Sequence, residues 1–175
     1  MTKNSFLAPL FLSLIFLQAN VMANADKFFD QSLGNFQEEL ELAEEEGKKG
    51  ILLFFEMDDC PFCEKMKTKI LNQAKVQKYF KDNFLIFSVD IEGDIEINDF
   101  QGEAVLQKDF ALYRYRIRAT PVIVFHDLKG KVTTRYIGAT KNAEEFMWLG
   151  EYVVDQHYLK SSFSRFKRKK RQQVK

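Results

Sequence analysis

Residues 51–63 read Ile-Leu-Leu-Phe-Phe-Glu-Met-Asp-Asp-Cys-Pro-Phe-Cys, and the fold is decided by how this stretch is read. Ile51 to Phe55 is an unbroken apolar run of strand length, the pattern of a central strand covered on both faces. Cys60-Pro61-Phe62-Cys63 follows, and Met66, Ile70 and Leu71 then recur at helical spacing. Pro61 suits a first helical position, where its missing N–H costs nothing. Strand, C-x-x-C and helix in that order put Cys60 at a helix N-terminus and Cys63 one turn inside. Unpaired N–H groups and the helix dipole favour an anion there, so the Cys60 thiolate is stabilised. Cys60 is expected to attack, and Cys63, on the same face, to resolve the mixed disulfide. Asp58 and Asp59 oppose a thiolate, while Lys65 and Lys67 partly offset them.

Other uses of two cysteines fit less well. A staple across so short a loop constrains the unfolded chain far less than the ~3 kcal/mol expected for a loop of about 15 residues. A structural zinc takes four ligands. That would require both His126 and His157, at spacings no finger or ribbon uses. No metal and no cofactor is expected. His126 is expected to end a strand and His157 to lie near a helix C-terminus, neither as a nucleophile's partner.

Outward from this stretch, the pattern is α/β with a central mixed sheet flanked by helices. The chain has 175 residues, 46% hydrophobic and 29% charged, enough for one well-packed domain. Asp26 to Glu46 reads as an amphipathic helix, weakened at Gly34. Val76 to Asn83 is a further helix and Phe84 to Val89 a buried strand. Ile91 to Gly102 is an acidic connection, expected to place Glu92, Asp94, Glu96 and Asp99 on a rim that selects basic or polar partners. Glu103 to Tyr115 reads as a helix. Val122 to Phe125 and Val132 to Ile137 form a hairpin, and Asn142 caps a last helix with Glu145 three residues on.

The near-zero net charge hides a division along the chain. Residues 26–159 carry 17 basic and 25 acidic side chains, whereas residues 160–175 carry eight basic ones and no acid. Residues 1–25 have the form of a secretory signal: Lys3, an apolar run from Phe6 to Leu17, and Ala23-Asn24-Ala25 before Asp26. The run is shorter than the ~20 residues of a spanning helix. An exported, most simply periplasmic, location is expected, with a membrane anchor if the signal is not cleaved. Residues 160–175 are expected to form a disordered basic tail, with contact to anionic lipid headgroups as the alternative reading. The secretory address disfavours nucleic acid.

Three landmarks in order make the chain resemble the thioredoxin superfamily. They are Cys60-Pro61-Phe62-Cys63, the segment Tyr115-Arg116-Ile117-Arg118-Ala119-Thr120-Pro121, and Gly138-Ala139 followed by Asn142 to Phe146. The resemblance implies a thioredoxin fold over residues 26–159 and thiol–disulfide oxidoreductase activity on protein substrates. It also implies a cis Thr120–Pro121 bond beside the cysteines. Pro61, Phe62, Thr120 and Pro121 would then contact an extended substrate. A looser likeness is to SoxW-like, thioredoxin-related periplasmic proteins. Phe55-Glu56 before Cys60, the long Ile91–Gly102 connection, and Glu151-Tyr152-Val153 leading to Tyr158 and Phe163 carry it. This implies a reductase kept reduced by a membrane electron donor. An oxidase or isomerase, or a non-catalytic binding module tethered at the membrane surface, is the alternative.

The chain departs from thioredoxin proper at three places. Asp59 stands where the family has Trp, Pro61-Phe62 where it has Gly-Pro, and Phe54 where it has a buried carboxylate. Glu56 lies two residues after Phe54 and so on the same side of the strand. Two readings of it stand side by side: a replacement for that carboxylate as the base for Cys63, or an ordinary acid at the end of the strand.

Overall fold

The computed structural model describes residues 27–173; the expected signal segment lies outside them. The elements run α1 (Phe36–Glu45), β1 (Gly50–Glu56), α2 (Pro61–Met66), α3 (Ala74–Asn83), β2 (Phe84–Asp90), β3 (Glu96–Asn98), β4 (Ala104–Leu106), α4 (Gln107–Asp109), β5 (Val122–His126), β6 (Val132–Ile137), α5 (Ala143–Val154) and α6 (Phe163–Gln173). Wider π-helical turns extend α2 over Lys67–Leu71 and α4 over Phe110–Arg114. Among the described residues no helix is long and apolar enough to cross a membrane.

The main sheet has the order β2-β1-β5-β6. β1 is parallel to β2 and antiparallel to β5, and β6 returns antiparallel to β5. Neighbours on both sides and helices on both faces explain the continuous apolar run of β1. Leu52 and Phe54 enter one core with Met66, Phe80 and Phe146. Ile51, Leu53 and Phe55 enter the other with Phe36, Phe87 and Phe110. Each fully buried Phe contributes roughly 1.5–3 kcal/mol. The Phe80 and Phe146 rings stack at 4.1 Å, fastening α3 to α5. At the start of β1, Gly50 has φ +145°, and a Cβ there would lie 1.9 Å from the His126 carbonyl oxygen. Only glycine allows the strands to meet so closely.

Three elements differ from the sequence reading. The first helix begins at Phe36, not Asp26: Gly34 is left-handed (φ +85°) and Asn35 caps the helix by accepting from the Gln37 N–H. The earlier apolar residues are recruited into the core instead, Phe28 packing on Phe80 and Phe146. The acidic connection contains β3, which pairs with β4. Helix therefore starts at Gln107 rather than Glu103, because Ile97 and Val105 pack against the second core from a small hairpin.

The third difference is the C-terminus. In place of a disordered tail, residues 163–173 form α6, packed on α5. Phe163 and Phe166 set their rings against Tyr152 at 5.4 and 5.5 Å, contacts that composition alone does not announce.

Candidate active site

β1 delivers the chain to a short loop at its C-terminal end. Asp59 is left-handed (φ 51°), a conformation Asp tolerates better than most residues. That bend sets Cys60 as the N-cap of α2, with Pro61 in the first turn. Cys60 and Cys63 are joined as a disulfide with their Cα atoms 5.3 Å apart. Cys63 is only 2% exposed, whereas Cys60 is half-buried and Phe62 projects outward at 60% exposure. The Cys60 Sγ accepts from the Cys63 N–H and from the Thr120 hydroxyl, both at 3.1 Å. The Thr120–Pro121 peptide bond is cis. The Pro121 carbonyl is engaged by the Gly138 N–H at 2.8 Å.

Beside the disulfide opens a cleft of about 680 Å³, lined by Glu56, Asp58, Asp59, Cys60, Cys63 and Lys67 among others. Glu56 is held from two sides. The Lys67 ammonium pairs with its Oε2, and the Ser88 hydroxyl donates to its Oε1. Register explains the second contact: Phe54 is paired with Ser88 and Glu56 with Asp90 across β1 and β2. Cys60, Cys63, Glu56 and Pro61 thus line one cleft, with Thr120 hydrogen-bonded to Cys60.

Two residues of this arrangement are missed by the sequence reading. Lys67 enters it only as a counter-charge to Asp58 and Asp59. Its position four residues after Cys63 was the signal that it returns to the same face. Ser88 is the one polar residue within Phe84–Val89, and a lone hydroxyl in a buried strand needs a partner.

Of the four acids of the expected rim, Glu92, Asp94 and Glu96 stay exposed and Asp99 does not. Asp99 is fully buried, accepting from the Gln101 and Glu103 N–H groups and pairing with Arg114 at 2.9 Å. Asp94 pairs with Lys108. Those carboxylates hold the β3–β4 hairpin to the helix after it. The acids that line the cleft come from the end of β1, the β1–α2 loop, α2 and the end of β2.

His126 pairs with Ile51, at the end of β1 remote from the cysteines. Its Nε2 is 2.8 Å from the Tyr115 hydroxyl, and burial pushes its pKa down to about 3. It stays neutral and takes no part in thiol chemistry. His157 lies in the turn after α5 and packs its ring at a tilt against Phe166. Among the described residues no cluster of His, Cys, Asp and Glu could hold a metal ion.

The family described as thioredoxin-like domain matches residues 36–154, from α1 to the end of α5. The protein belongs to the thioredoxin-like domain family. Three solved structures are similar to this thioredoxin-like chain. A thioredoxin-fold protein from Helicobacter pylori is 21% identical with a TM-score of 0.62, covering 85% of this chain and 90% of that one. A putative disulphide-isomerase from Bacteroides thetaiotaomicron is 22% identical, TM-score 0.55, covering 77% and 93%. A thioredoxin from Thermus thermophilus is 24% identical, TM-score 0.54, covering 71% and 88%. At these identities the likeness is one of fold. No curated protein sequence matches the chain.

Proposed function

We propose that the thioredoxin-like domain is an exported thiol–disulfide oxidoreductase that reduces disulfides in protein substrates. The observation that carries this reading is the Cys60–Cys63 disulfide at the start of α2, bordered by an open cleft and by the Thr120 hydroxyl. The more exposed sulfur belongs to Cys60, and two donors point at it. In the reduced protein both the Cys63 N–H and the Thr120 hydroxyl are placed to stabilise negative charge on that sulfur.

In the reduced state the Cys60 thiolate attacks one sulfur of a substrate disulfide. One substrate thiolate leaves and a mixed disulfide forms. Cys63 then loses its proton and attacks the Cys60 Sγ, releasing the second substrate thiol and closing the Cys60–Cys63 bond. Two electrons pass to the substrate, and a thiol reductant returns the protein to its dithiol form. Glu56, which lines the same cleft as Cys63, is the acceptor for the Cys63 proton, and taking that proton loosens its pairing with Lys67. Thr120 presents backbone to an extended substrate segment, and Pro121, Pro61 and exposed Phe62 add apolar contact. The SoxW-like sequence features support the reducing direction and a membrane electron donor. Lys3, the apolar run of residues 6–17 and Ala23-Asn24-Ala25 support export to the periplasm.

Reduction of insulin by dithiothreitol, followed by turbidity, tests the activity. The wild-type chain is expected to accelerate it and a Cys60→Ala/Cys63→Ala variant to give the uncatalysed rate. Equal rates from both proteins would leave the domain a binding module.

A further inference from the structure

α6 spends part of its positive charge internally. Lys167 Nζ lies 2.8 Å from Glu145 Oε1, Arg171 Nη2 3.4 Å from Glu145 Oε2, and Lys170 Nζ 2.5 Å from Glu151 Oε2. Phe163 and Phe166 face the same way, against Tyr136, Tyr152 and His157. With that inner face fixed, Arg165, Arg168 and Lys169 are left exposed at i, i+3 and i+4, a single stripe along the helix. α6 contains no acidic residue. Exposed Lys160 extends the stripe across the preceding turn. Among the described residues none of these four cations has an ion-pair partner.

Between the turn and the helix lies a groove of about 440 Å³, lined by Lys160, Ser161, Arg165 and Lys169 together with Glu151 and Asp155. Glu151 is already paired with Lys170, and Asp155 lies 3.9 Å from His157 Nε2. Next to Lys160, Leu159 is 69% exposed.

We propose that this face docks on an anionic bilayer, with lipid phosphates among Lys160, Arg165, Arg168 and Lys169 and Leu159 at the acyl boundary. Charge complementarity selects the face. Residues 26–159 carry 25 acids against 17 bases, so an anionic surface repels the body of the domain and attracts only its last helix. The exposed leucine selects lipid over nucleic acid. Both offer phosphates, but only a bilayer has an apolar layer beneath them.

The experiment is co-sedimentation of the full chain with phosphatidylcholine or phosphatidylglycerol vesicles at several salt concentrations. Capture on phosphatidylcholine measures the contribution that does not depend on lipid charge, that of Leu159 and of residues 1–25, and the difference between the two vesicles reads the basic stripe. Binding to phosphatidylglycerol should be stronger and should weaken as salt rises. A triple variant, Arg165→Glu/Arg168→Glu/Lys169→Glu, should lose on the order of 10²-fold of that preference. Leu159→Ser should weaken vesicle binding several-fold and leave retention on single-stranded DNA unchanged. Far-UV circular dichroism and insulin reduction without vesicles should match wild type in both variants, which separates lost docking from lost folding or redox activity. Equal binding to both vesicles, or an unchanged preference in a folded triple variant, overturns the proposal. Tighter binding to DNA than to phosphatidylglycerol at equal salt, indifferent to Leu159, also overturns it in favour of a polyanion.

Discussion

Around Cys60 most of the contacts that set the geometry come from nearby in sequence. Cys63 donates to it from three residues away, and Lys67 reaches back eleven residues to Glu56. Around α6 they come from far upstream: Lys167 and Arg171 reach Glu145 across 22 and 26 residues. The first region is chemistry written into a spacing, a cysteine at a helix start with a second one turn on. The second is order conferred by a partner surface. A strongly basic segment folds here because α5 offers a buried carboxylate and α5 and β6 offer two tyrosines.

The contrast is broken most severely at the cysteines. Cys63→Ala should abolish turnover and accumulate mixed disulfides with substrates, because no thiol remains to resolve them. Cys60→Ala should be equally inactive and trap nothing. Non-reducing electrophoresis after incubation with a disulfide substrate reads both. Equal trapping by the two variants would reverse or erase their division of labour. Neither change should alter the docking of α6.

Less severe is the loss of Glu56. Cys63 is almost fully buried, where a bare thiolate is disfavoured, so its proton needs a receiver close by. Glu56→Gln keeps an acceptor for Ser88 but cannot take the proton and leaves Lys67 without its anion. Resolution of the mixed disulfide should slow on the order of 10²-fold, while the first attack by Cys60 changes much less. Stopped-flow measurement of the two half-reactions from acid to alkaline pH separates a proton acceptor from a structural ion pair. An ion pair would shift the melting temperature and leave the resolution rate alone.

The same contrast explains how much was legible in the sequence. The core strands, the C-x-x-C helix and the hairpin followed from apolar runs and one motif, since period and length are local properties. Cys60, Cys63 and Glu56 could be placed near one another because they sit within eight residues on a strand–loop–helix unit. Lys67 and Ser88 could not be assigned as partners, because one depends on helix phase and the other on the β1–β2 register. Asp99 was misplaced for the opposite reason. Its neighbours Asp94 and Glu96 suggested a solvated rim, whereas Arg114, fifteen residues on, draws it into the interior. The first helix was begun too early because Phe28 and Phe29 satisfy a helical pattern while packing as an irregular segment.

The smallest effect is expected at Glu145, and it tests the claim that α6 is held by its partners. Burial alone would raise the Glu145 carboxyl. The hydrogen bonds from Lys167 and Tyr136, with the charges of Lys167 and Arg171, outweigh it and hold the carboxyl below its ordinary value of 4.5. A depressed carboxylate pKa stabilises the folded state in full above 4.5, and the contribution disappears as the pH falls through the lower folded value. α6 should therefore loosen from α5 on acidification through that window and be indifferent to pH between neutrality and mild alkali. Glu145→Gln removes the charge while leaving an acceptor for Tyr136, so it should cost about 1–2 kcal/mol at neutral pH and flatten the acid transition. The ring resonances of Phe163 and Phe166 followed by NMR against pH report the docking directly, and insulin reduction at neutral pH reports the cleft. If α6 stays docked in both proteins down to strongly acid pH, the aromatic contacts with Tyr152 alone hold it. If insulin reduction falls with α6 release, the two regions are coupled, and the helix supports the cleft as well as offering a surface of its own.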